Sequence, residues 1–113
     1  MSGRYDYAFQ PITSTEPSFE MVLSTISSAV LLQTTGREWY GPTGRSIRIS
    51  ETSGVDFRLQ IGSSLAVAVS SASIMMLGGV VELFSVPANQ TYVAIMTTST
   101  QISTVNLTLG YGR

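Results

Sequence analysis

Three segments of this chain alternate strictly between apolar and polar residues, and that alternation limits the fold more than any other feature. Ile47 and Ile49 are interleaved with Ser46, Arg48 and Ser50. Val55, Phe57, Leu59 and Ile61 are interleaved with Asp56, Arg58 and Gln60, and Val105, Leu107 and Leu109 with Thr104, Asn106 and Thr108. Successive side chains of an extended backbone point to opposite faces, so each segment offers one face to a core and one to water. A helix, with its 3.6-residue period, would scatter the same residues around its surface. The three segments are therefore predicted strands.

Other stretches fit the same reading. "VVELFSV" (80–86) and "TYVAIMT" (91–97) are apolar on both faces, as central or interface strands are, and "PANQ" (87–90) is a turn between them. "SGV" (53–55) and "LGG" (77–79) punctuate the chain, and "TGREWYGPTGR" (35–45) is a long Gly/Pro loop. Residues 19–33 are ambiguous. Phe19, Val22, Leu23, Ile26, Val30 and Leu31 approximate a helical stripe, but Ser, Thr and Val are poor helix formers. Two short strands, about 20–25 and 28–34, are expected, with a helical turn as the alternative. The prediction is all-β: a single antiparallel β-sandwich or jelly-roll-like domain of about eight short strands over residues 19–113. A chain of 113 residues is the right length for one such core.

Residues 1–18 read as an extended N-terminal arm, because Pro11 and Pro17 forbid a regular helix there. In "RYDYAFQP" (4–11), Tyr5, Tyr7 and Phe9 fall on one face of an extended segment, and that face needs a cover. Residues 1–12 are expected to leave their own subunit and add as a strand to a neighbour's sheet edge. The alternative is an arm tucked as an edge strand on its own sheet.

Charged residues make up only 12% of the chain, against about 25% in an ordinary soluble domain. Lysine is absent, and the hydrophobic fraction is 43%. Such a surface is either a Ser/Thr-covered β-face or one buried against partners. A net charge of −1 without a basic run argues against a nucleic-acid partner. No stretch is long and apolar enough for a membrane span, and no secretory leader is expected from "MSGRYDYAFQ".

The chain has no cysteine and no histidine, which removes disulfides, thiolate metal sites and the commonest general base. Ser63 and Ser64 lack a histidine partner, and "GPTG" (41–44) lacks the lysine of a phosphate loop. Asp6, Glu16, Glu20, Glu38, Glu51, Asp56 and Glu82 form no distinctive pair and are expected as solvated surface charge. Glu82, inside "VVELF", fits an outward position or a guard against edge aggregation, or pairs with Arg58 or Arg48 across a subunit contact. Met75 and Met76 suit flexible core or contact filling. No enzyme, cofactor or metal is expected. Trp39 and Tyr40, adjacent aromatics in the long loop, would anchor it in the core or at an interface, or stack on a sugar ring.

The second half has a recognisable cadence. "DFRLQIGSS" is followed by "GGVVELFSVPANQTYVAIM" and by "VNLTLG", with Gly79, Glu82, Phe84, Val86, Pro87, Thr91 to Ala94, Val105 to Thr108 and Gly110 as the recurring positions. Over about residues 56–112 this resembles small virion structural proteins of tailed bacteriophages. The resemblance implies a structural role: decoration or cement on the capsid, or a head–tail connector, neck or tail component. It also implies self-association as a homotrimer or other cyclic oligomer, contacts with the major capsid protein or other virion proteins, residence in the virion, and no active site. Tyr5, Tyr7, Phe9, Trp39 and Tyr40 are the candidate partner-binding residues. A carbohydrate-binding module centred on Trp39 and Tyr40 is the further alternative.

Overall fold

The computed structural model describes residues 9–13, 15–34, 39, 45–64, 67–87 and 89–112. Among them are nine strands: β1 (Gln10–Pro11), β2 (Ser18–Val22), β3 (Ser28–Leu31), β4 (Arg45–Glu51), β5 (Phe57–Gly62), β6 (Ile74–Met76), β7 (Val81–Ser85), β8 (Tyr92–Met96) and β9 (Thr104–Tyr111). No helix occurs among the described residues. Residues 19–33 fold as strand, turn and strand, and the helical-turn alternative does not hold.

The pairings nest. β2 lies antiparallel to β9, β3 to β8, β4 to β7 and β5 to β6, as if one long hairpin had been drawn out. Rolling it up brings β4 against β9 and β5 against β8. One sheet then runs β2-β9-β4-β7, with β1 end to end with β2 along β9, and the other runs β3-β8-β5-β6. This is jelly-roll strand order. The expected sandwich is present, with β1 and β6 as strands the alternation did not reveal.

Pairing register assigns the faces. Ile47, Ile49, Val105, Leu107 and Leu109 of the first sheet point inward, toward Phe57, Leu59, Met76, Val93 and Ile95 of the second, and all ten are almost wholly buried. Each such side chain contributes about 1.5–3 kcal/mol, most of it offset by chain entropy. The outer face of the first sheet carries Ser50, Asn106 and Glu20 in one row and Arg48, Thr108 and Ser18 in the next. This is the polar β-surface that the composition allowed. On the outer face of the second sheet, residues 67–73 form a strap. Val67 lies against Gly62, the Val69 amide donates to Ser27 Oγ (3.0 Å), and the Ser73 hydroxyl donates to Gln60 Oε1 (2.8 Å). The strap crosses the sheet between β3 and β5, which accounts for Ala94 being buried on an outward-facing position of β8.

Candidate interaction surface

Strands β6 and β7 are edge strands of opposite sheets, and the turn 77–80 joins them along one side of the sandwich. Among the described residues, six of the ten exposed large hydrophobic ones lie in this run: Ile74, Met75, Leu77, Val80, Val81 and Leu83, between 37% and 60% exposed. Isolated exposed apolar residues are ordinary; six within ten residues are not, and this ribbon follows the edge from the outer face of the second sheet, where Met75 lies opposite Arg58, to that of the first, where Val81 and Leu83 lie.

The backbone of β7 is open as well. Val86 N–H donates to Arg45 O (3.0 Å), and Val80 O accepts from Glu51 N–H (3.5 Å). Residues of that parity face β4, so Val81, Leu83 and Ser85 aim their N–H and C=O groups away from the sheet. Their side chains lie on the outer face, opposite Ser50, Arg48 and Ser46. Glu82 and Phe84, opposite Ile49 and Ile47, lie on the core-facing side. Glu82 stays exposed there because the sandwich is open along this side.

A rigid frame holds the ribbon. Glu51 ends β4 on the inward parity of Ile47 and Ile49, and it is 2% exposed. Its Oε1 accepts from the amides of Gly54 (3.0 Å), Val55 (3.1 Å) and Gly79 (2.9 Å), and its Oε2 from the Ser53 amide (2.9 Å) and the Ser103 hydroxyl (2.5 Å). Burial alone would push this carboxyl up. The hydrogen bonds from Ser103, Gly79, Ser53 and Val55 outweigh burial and hold it below the usual carboxylate value. Asp56 Oδ1 accepts from the next amide, Gly78 (2.8 Å). Gly78 packs on the Gly54–Val55 backbone where no Cβ fits, and Gly79 takes φ +80°. Two carboxylates and two glycines thus fix the turn from which β7 starts. This corrects the expectation that Glu51 is a solvated charge.

The aromatic candidates divide. Tyr5, Tyr7 and Tyr40 lie outside the described residues. Phe9 is half-buried, with its ring beside Gly110 at the edge of its own sheet. β1 pairs with β9, the Ile12 amide donates to Leu109 O (3.0 Å), and Ile12 is buried. The expectation that residues 1–12 leave their own subunit is therefore corrected for 9–12, which complete a sheet edge in cis. The reason is hydrogen bonding, since β9 would otherwise expose its last carbonyls and amides there.

Trp39 is fully buried, donates from Nε1 to Gly110 O (2.8 Å), and lies under the Arg45 guanidinium, 5.3 Å from the ring centroid. It anchors its loop in the core. A sugar platform and a partner contact both need an exposed ring, so both expectations for Trp39 are corrected.

Arg48 and Glu82 lie on opposite faces of their sheet, and Arg58 Nη1 donates to Ser73 O (2.9 Å). Beside the ribbon, Asp56, Arg58, Met75, Met96 and Thr97 line a shallow depression of about 150 Å³. No group of acidic side chains among the described residues could hold a metal. No protein-family model and no curated protein matches the chain.

Proposed function

We propose that this protein is a structural virion component of a tailed bacteriophage, a decoration or cement protein that binds and stabilises the capsid surface through oligomeric β-domain contacts. The observation that carries the reading is the apolar ribbon 74–83, exposed along the edge strands β6 and β7 and anchored at its turn, where Glu51 and Asp56 accept from the Gly79 and Gly78 amides. A pre-ordered apolar edge loses little entropy on docking. The low charge and the resemblance over residues 56–112 support it further. Jelly-roll order by itself supports only an analogy, since that fold also serves other functions. Mass spectrometry and immunogold labelling of particles of the phage that encodes the chain test the proposal. Regular labelling over the head is expected. Labelling confined to the neck or tail would favour the connector reading, and absence from purified particles would overturn the virion role.

A further inference from the structure

We propose that β7 pairs with β7 of a second copy across a two-fold axis centred on Leu83, extending the β2-β9-β4-β7 sheet through both subunits. Three residues of β7 aim their backbone groups outward: Val81, Leu83 and Ser85. Antiparallel pairing centred on Leu83 uses all three, with Leu83 opposite Leu83 of the second copy and Val81 opposite its Ser85. That register makes six main-chain hydrogen bonds, two at each of the three facing pairs. Centring on Glu82 or on Phe84 makes four, and the Glu82 register also sets two carboxylates face to face.

Charge separates this edge from the other edge of the same sheet. In β2, Leu23 N–H donates to Ser103 O and Pro17 O accepts from Leu109 N–H, so Ser18, Glu20 and Val22 aim outward. The register that would use all three places Glu20 against its own copy, where like charges repel. β3 and β6 are shorter, at four and three residues. Among the described edge strands, β7 alone combines a fully used edge, an apolar centre and a charge that avoids its own image. Glu82 then lies opposite Phe84 of the second copy. On the outer face the two Leu83 side chains meet, with Arg48 of each subunit one strand away. A two-fold contact of this kind is isologous and closes at two copies.

The inference does not rest on the virion reading. Light scattering on the eluting full-length chain should give twice 12.1 kDa. Leu83→Pro removes only an outward amide, which an edge strand tolerates, and should give a single copy with an unchanged circular dichroism spectrum. The chain has no cysteine, so Leu83→Cys reports register directly. Residues paired in this way sit about 5.5 Å apart between Cα atoms, within disulfide reach. Mild oxidation should give a covalent dimer with Leu83→Cys and none with Glu20→Cys. If Leu83→Pro fails to fold, the cysteine pair still decides. A folded wild-type chain of single-copy or three-copy mass, or cross-linking at Glu20 and not at Leu83, overturns the inference. A single-copy chain found on particles would overturn the pairing and spare the virion role; a dimer absent from particles would do the reverse.

Discussion

The Ser103 hydroxyl donates a 2.5 Å hydrogen bond to Oε2 of Glu51, joining the start of β9 to the end of β4 inside the protein. The four backbone amides on the same carboxylate come from the loop before β5 and the turn before β7. One acidic group, held by five neutral donors, therefore ties both sheets together at this end.

Stability should fall at acid pH because of Glu51. Its folded pKa lies below the ordinary carboxylate value, so its contribution is complete above that ordinary value and is lost as pH falls through the lower folded one. Glu51→Gln sets an amide N–H₂ against at least one backbone N–H and should cost about 1–3 kcal/mol at neutral pH. Denaturant melts between pH 3 and pH 7, roughly the window in which carboxylate linkage acts, check both: the wild-type slope should shrink in the variant. An unchanged slope would show that other carboxylates govern the acid limb.

Gly110→Ala should release β1 and leave the core intact. A Cβ at Gly110 would meet the Gln10 carbonyl oxygen and the Phe9 ring. The ring can turn, but the carbonyl belongs to the backbone paired with β9. Loss of this two-residue strand should cost about 1–2 kcal/mol, the usual scale for overpacking. Limited proteolysis should cut around residues 9–13 faster in the variant, with β4 and β5 amides still protected from exchange.

Trp39→Phe keeps most of the buried ring but removes the donor to Gly110 O and weakens the stacking with Arg45. About 1–2 kcal/mol of stability should be lost, read by circular dichroism because the chain has one tryptophan. In the wild type that tryptophan should emit as a buried indole and shift to the red on unfolding. Emission that is already solvent-like in the folded protein would contradict its burial.

The strands β4, β5 and β9 were legible because each has a wet face, so the alternation survives in the sequence. β6 was not: Ile74, Met75 and Met76 are three apolar residues with no polar partner to mark a face. β1 was hidden by Pro11, which reads as a break although an edge strand has room for a residue without an amide proton. Glu51 did carry a signal, since it continues the inward parity of Ile47 and Ile49, but the amides that make its burial tolerable come from residues 53–55 and 79, brought close only by folding. The ribbon 74–83 was half legible. Its hydrophobicity is plain in "VVELF", but that it faces outward depends on β6 and β7 being edges, and strand order is a property of the whole chain.

Glu82→Val should convert a selective edge into a sticky one. Glu82 sits on the core-facing side of β7, opposite Ile49, yet it is exposed because the sandwich is open there. A charge in that position penalises any strand that brings a carboxylate opposite it, as the register centred on Glu82 would. The substitution turns residues 80–84 into an uninterrupted β-prone apolar run at a sheet edge, a pattern that favours sheet-on-sheet association. The folded domain itself should lose little, within about 0.5 kcal/mol for an exposed site. Solubility is where the change should show: scattering at elevated concentration should rise and a thioflavin signal should develop while the melting curve stays put. If Glu82→Val remains as dispersed as the wild type, the carboxylate is not what keeps this edge selective.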